Sequence, residues 1–149
     1  MIGLLNMYVA QILKAKSEGI FSIAPEATVP QAAEVLATRR IGSIVVTDSL
    51  GALVGILSER DLARGIHGHG PELMQRTVAD LMTREVITCK PESTVAEIVE
   101  LMNKYTIRHL PVLEEGELVG VISMRDVVNN RLLELEAENE TIRAHVMGA

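Results

Sequence analysis

The sequence predicts an α/β fold built from one unit written twice. Three observations predict it. The nonapeptide LVGILSERD at residues 53–61 returns as LVGVISMRD at 118–126. The likeness extends around it: Pro25 and Ile41 recur as Pro91 and Ile107, 66 residues on, and Gly55 recurs as Gly120, 65 residues on. Each copy also carries the same order of segments, strand–helix–strand–strand–helix. Two copies are too few for a solenoid, so the economical arrangement is a pair related by a pseudo-twofold axis and packed through their sheets.

The elements follow in order. Residues 1–8 read as an extension, 9–70 as the first repeat, 71–135 as the second and 136–149 as a C-terminal helical extension. In each repeat a short strand, FSIA or VITC, runs into proline. Thr28 and Thr94 then stand as N-caps before the apolar-periodic segments TVPQAAEVLATRR and TVAEIVELMNKY. In the latter, Val95, Ile98, Leu101 and Met102 recur at helical spacing. The strands IGSIVVT and IRHLPVL come next, with turns at DSLG and EEG, where glycine suits a hairpin. The strands ALVGILS and ELVGVIS lead into helices at ERDLARGI and MRDVVNNRL. Between the repeats, the glycine-rich HGHG reads as a linker and VADLMT as a short lead-in helix for the second repeat. The matching lead-in for the first is VAQILKAKSEG, with Val9 over Gln75 and Leu13 over Ala79 at the offset of 66.

Composition narrows the function classes. Hydrophobic residues make up 48%, with no Trp, one Phe and two Tyr, so the core is aliphatic and no aromatic platform for single-stranded nucleic acid is in prospect. A net charge of −6 with no basic stripe argues further against a nucleic-acid partner. No run reaches the roughly 18 apolar residues of a membrane span, so no membrane insertion is expected. The N-terminus lacks the basic region and cleavage pattern of a signal peptide. The single cysteine, Cys89, fits a reducing compartment, and the cytoplasm is the expected location. It reads as a small buried hydrophobe. His67 and His69, without a third ligand nearby, read as solvated, so no metal is expected; nor does any triad, phosphate loop or carboxylate cluster suggest catalysis.

The duplicated corner Ser–x–Arg–Asp carries the chemistry. A strand ends at Ser58 or Ser123 and a helix begins at once, presenting free N–H groups and a partial positive charge. The serine hydroxyl suits a cap or a phosphate. Arg60 and Arg125 offer donors that match phosphate oxygens. Asp61 and Asp126 suit a ribose diol, as acidic residues do in dinucleotide folds. The same spacing is also close to a capping box, in which serine and aspartate serve only the helix. Gly55 and Gly120 permit close approach of a backbone or a flat base.

The paired blocks of strand–Pro–x–x–Thr, IRHLPV and Gly–h–h–Ser–x–x–Asp (h, apolar) resemble a tandem pair of cystathionine-β-synthase (CBS) domains, the Bateman module. The resemblance covers about residues 9–135. It implies two clefts, each mixing segments of both repeats, where adenine nucleotides bind. One would combine Ser58 and Asp61 with Arg108, His109 and Arg125, lined by Met82, Val86, Ile87 and Pro111. The other would combine Ser123 and Asp126 with Arg60, Gly42 and Ser43, lined by Leu13, Ile20 and Ser22. Charge-assisted bonds are about twice as strong as neutral ones, so the first cleft is expected to hold a phosphorylated ligand more tightly. The resemblance implies a non-catalytic regulatory module that requires no cofactor and takes AMP, ADP, ATP or NAD(H) as a regulatory ligand. It also implies a homodimer and leaves room for a separate effector enzyme or transporter; a structural dimer without ligand is the remaining alternative.

The C-terminal segment places Leu132, Leu135, Asn139, Ile142 and Val146 at alternating spacings of three and four. That is a coiled-coil seam with a polar a position, suited to an intersubunit contact. The alternative is a surface helix that packs its stripe back on its own domain.

Overall fold

The structure is a computed structural model and describes residues 3–16 and 19–148; within the last helix it does not describe the side chains of residues 132–134 and 147–148. Ser17 and Glu18, the end of the first lead-in, lie outside the described residues, as do Met1 and Ile2 of the N-terminal extension. The chain divides into two compact units. The first-repeat unit holds Gly19–Ile87 and Glu114–Val119, and the second-repeat unit holds Met1–Glu18, Thr88–Leu113 and Gly120–Ala149.

In the first-repeat unit, β1 (Ser22–Ile23), β2 (Ser43–Thr47) and β3 (Leu53–Ser58) form a sheet in that order. β1 runs parallel to β2, with Ser22 beside Val45 and Ile23 beside Val46. β2 and β3 are antiparallel, with Ser43 opposite Ser58 and a bulge between Val46 and Thr47. Their turn is tied by the Asp48 carboxylate, which accepts from Leu50 N and Ala52 N at 2.9 Å each, and Gly51 supplies the positive φ of 82°. Helix α2 (Val29–Arg39) starts on a full capping box: Thr28 Oγ1 accepts from Gln31 N, and Gln31 Oε1 accepts from Thr28 N. Such a cap is worth about 1 kcal/mol. The core gathers Ala32, Leu36, Ile44, Val46, Leu57, Val78 and Met82. Burying each larger aliphatic contributes about 1.5–3 kcal/mol.

In the second repeat, α1 (Val9–Ala15), α5 (Val95–Tyr105), the hairpin β4 (His109–Glu114) with β5 (Glu117–Ser123), and α6 (Met124–Gly148) recur in corresponding roles, the hairpin tip Glu114–Val119 being grouped with the other unit. Thr94 and Glu97 rebuild the capping box. The hairpin turns on Glu115 and Gly116, both at positive φ, the geometry whose twist matches its strands. Buried Val9, Ile12, Val95, Ile98, Met102, Leu110, Val112, Ile122 and Val127 make its core.

Three expectations change. First, the lead-in helices change places. α4 (Val78–Leu81) docks on the first repeat, with Val78 N donating to Ala27 O at 2.8 Å and Ala79 N to Pro25 O at 2.9 Å. α1 docks on the second by the equivalent bonds, Val9 N to Ser93 O at 2.8 Å and Ala10 N to Pro91 O at 3.0 Å. Val9 therefore corresponds to Val78 and Leu13 to Met82, an offset of 69 instead of 66. Second, HGHG is helical: α3 (Glu59–His69) runs through it and a 3-10 helix continues over Gly70–Gln75. Gly65, earlier in α3, allows close packing, because a Cβ there would stand 2.7 Å from Leu81 Cδ2 and 2.8 Å from Leu73 Cδ1. Third, VITC shrinks to one parallel bridge, Cys89 to Val112, the counterpart of Ile23 beside Val46. α6 continues without a break into the C-terminal segment, and its side chains from Leu135 to Val146 are all exposed.

Candidate functional site

Both strand-to-helix corners are capping boxes. At the β3–α3 corner, Asp61 N donates to Ser58 Oγ at 3.2 Å, and Asp61 Oδ2 accepts from Ser58 N at 2.8 Å and from Ser58 Oγ at 3.1 Å. At the β5–α6 corner, Asp126 N donates to Ser123 Oγ at 3.1 Å and Asp126 Oδ2 accepts from Ser123 N at 2.8 Å. The first N–H of each helix is also used: Glu59 N donates to Gly42 O at 3.0 Å, and Met124 N to Arg108 O at 2.8 Å. The structural reading of Ser–x–x–Asp is thus realised in both corners. It also holds each carboxylate at a fixed place and orientation, which a ribose diol would require of its acceptor.

The carboxylates differ in their further partners. Asp61 is 6% exposed, and its Oδ1 accepts from Thr83 Oγ1 at 3.0 Å. Thr83 is brought there by the antiparallel bridge of its backbone with Ile56. Asp126, whose side chain is 13% exposed, takes an ion pair from Lys16, with Nζ 2.9 Å from Oδ2. Lys16 Nζ also donates to Val121 O at 3.0 Å. Thr83 and Lys16 fall within the stretches expected to line the clefts, between Met82 and Ile87 and between Leu13 and Ser22.

The two glycines are closely approached from within their own units. A Cβ on Gly55 would meet Met82 Sδ at 2.6 Å and Thr83 O at 3.1 Å. A Cβ on Gly120 would meet the methyls of Leu13 at 2.9 Å. Met82 and Leu13, both expected as lining residues, therefore fill equivalent positions.

The other expected residues are placed as follows. In the first-repeat unit, Ser22 opens β1, Ser43 opens β2 beside Ser58, and Gly42 lies at the start of α3 through its carbonyl. Arg60 is exposed in the first turn of α3, Ile20 is exposed, and Val86 and Ile87 are half-buried in an irregular segment. In the second-repeat unit, Arg108 is exposed, His109 opens β4 half-buried, Pro111 is buried and Arg125 is exposed in the first turn of α6. Each unit thus gathers its own serine, aspartate and the residues entering its own middle strand. Cys89 is buried, and burial pushes its thiol up to about 11, which suits an unreactive side chain. Among the described residues, no three His, Cys, Asp or Glu side chains gather where they could hold a metal ion, and no helix is long and apolar enough to cross a membrane.

The sequence matches the family described as "CBS domain" twice, over residues 9–68 and 78–132. The chain belongs to the CBS domain family. Solved structures agree. The CBS-domain containing protein ATU1752 from Agrobacterium tumefaciens is 35% identical, with a TM-score of 0.81 over 88% of this chain and 98% of that one. The CBS domain pair of protein MJ0100, solved in complex with 5-methylthioadenosine and S-adenosyl-L-methionine, is 26% identical, with a TM-score of 0.73 over 87% of this chain and 98% of that one. Among curated relatives, inosine-5'-monophosphate dehydrogenase of Nitrosopumilus maritimus is 31% identical over 128 residues, 80% of this chain. This chain spans only 25% of that enzyme.

Proposed function

We propose that this CBS pair is a non-catalytic regulatory module whose ligand carries an adenosine group: AMP, ADP, ATP or NAD(H), with S-adenosylmethionine in the same chemical class. The observation that carries the reading is the duplicated Ser–x–x–Asp corner in a chain similar to a CBS pair solved with two adenosine compounds. Asp61 and Asp126 accept the ribose hydroxyls, and Arg108, His109, Arg125 and Arg60 serve phosphates. The Asp61 corner is the stronger. At the other, Lys16 already neutralises the Asp126 carboxylate through Oδ2, which weakens its charge-assisted bond to a diol. Ligand binding shifts the population between two arrangements of the module, to the extent that its affinity for them differs. The module works in the cytoplasm as a homodimer.

A second reading, an accessory subunit of a separate enzyme or transporter, is favoured by the dehydrogenase relative, of which this chain matches a quarter. Isothermal titration of the full chain with AMP, ATP, NADH, S-adenosylmethionine and methylthioadenosine tests the main reading. Saturable binding of at least one supports it, and silence across the panel overturns it. Pull-down with and without the bound compound then identifies an effector.

A further inference from the structure

Beyond Asn130, the described apolar side chains of helix α6 lie open: Leu135, Ile142 and Val146 are 38%, 60% and 73% exposed. Val128, one heptad before Leu135, is 49% exposed. The described side chains around them are exposed as well, from Glu136 through His145. A helical stretch of this length with water on every face is marginal by itself. The heptad places Val128, Leu135 and Ile142 at d, and Leu132, Asn139 and Val146 at a.

We propose that residues 128–148 of α6 form a two-stranded, parallel, in-register coiled coil with the same residues of a second copy of this chain. Charge complementarity selects the second copy. In such a pair each g position meets the e position five residues on in the partner helix. Glu138 at g then meets Arg143, and the preceding heptad repeats the match with signs reversed, Arg131 at g and Glu136 at e. The helix is thus complementary to itself twice on each side of the seam. Asn139 fixes the alignment. At an a position of a parallel in-register pair, it faces its own copy, and the two amides hydrogen-bond. Slipped by one heptad, it would face Leu132 or Val146 and leave a buried amide without a partner.

The test uses the full chain with single cysteines on α6, since native Cys89 is buried. Val146→Cys places a thiol at the seam, and Ala144→Cys places one at f, facing away. Both positions lie on exposed helix, so the fold is retained. Under mild oxidation, read on non-reducing gels, Val146→Cys should cross-link at least about tenfold faster than Ala144→Cys. In the Val146→Cys background, Glu138→Arg should slow the reaction several-fold, and Arg143→Glu added to it should restore the rate. Equal rates for the two cysteines, or a seam cysteine that stays uncross-linked, would overturn the proposal, even for a protein that dimerises elsewhere. The outcome is independent of whether any nucleotide binds.

Discussion

The β3–α3 and β5–α6 corners share a motif, a cap and nearly the same bond lengths, yet their carboxylates live in different electrostatic company. Asp61 is held by two hydroxyls and a backbone N–H, and Asp126 by a backbone N–H and an ammonium group. The difference does not come from the repeated nonapeptides. It comes from what the end of each lead-in helix delivers, a threonine hydroxyl in one unit and a lysine in the other. A duplicated motif can thus keep its structural role in both copies while its readiness to bind diverges through neighbours distant in sequence.

The largest way to break the comparison is to remove each carboxylate. Asp61→Ala removes a buried carboxylate that accepts from the half-buried Ser58 N–H and from the exposed Thr83 hydroxyl, and should cost about 2–3 kcal/mol. Asp126→Ala, in a wetter corner, should cost about 1–2 kcal/mol, a helix cap with its ion pair. Urea denaturation of the two variants gives both figures; the reverse order would contradict the burial argument.

Next come the glycines. Gly55→Ala forces a methyl against Met82 and the backbone carbonyl of Thr83, which cannot swing away, and should destabilise by about 1–3 kcal/mol. Gly120→Ala presses only on the end of the half-buried Leu13 side chain and should cost less. Adding Leu13→Ala should relieve that clash, and thermal melts of the single and double variants would show it.

A smaller effect belongs to Lys16→Met, which removes the ion pair. Because both groups retain some exposure, the loss should be about 0.5–1 kcal/mol, and it should shrink in molar salt. The smallest concerns Cys89, which holds the place of Ile23 in the other repeat. Its thiol should resist alkylation at pH 8 in the native protein and react promptly in urea. Since burial raises its folded pKa from 9.0 to about 11, its contribution to stability is complete below pH 9 and lost as the pH rises through 11.

Much of this was written locally in the chain. Thr28, Thr94, Ser58 and Ser123 announce their helices because a cap is a contact across three residues, and the Glu115–Gly116 turn is equally local. The exchange of lead-ins was not legible, because a helix of four or seven residues carries no signal of where it docks, and the assumed offset of 66 hid the pairing of Leu13 with Met82. Glycine lowers helix propensity, so HGHG reads as a linker, yet α3 runs on through Gly68, where a Cβ would meet no neighbour. The strand expected at VITC shrank to one bridge, since strand length depends on a partner edge that the segment does not encode. The two Ser–x–x–Asp caps were legible as a repeated motif; which carboxylate receives Thr83 and which receives Lys16 depends on the docking of the lead-ins and was not.

The central claim is that the two corners receive an adenosine ligand unequally. The direct measurement is titration of the tightest-binding adenine nucleotide into the wild type, Asp61→Asn and Asp126→Asn, each checked for an intact melt. The account predicts a loss of about 10- to 100-fold in affinity for Asp61→Asn, as expected for removing a charge-assisted bond, and a smaller loss for Asp126→Asn. Equal affinities in all three proteins, or a larger loss at Asp126, would contradict it.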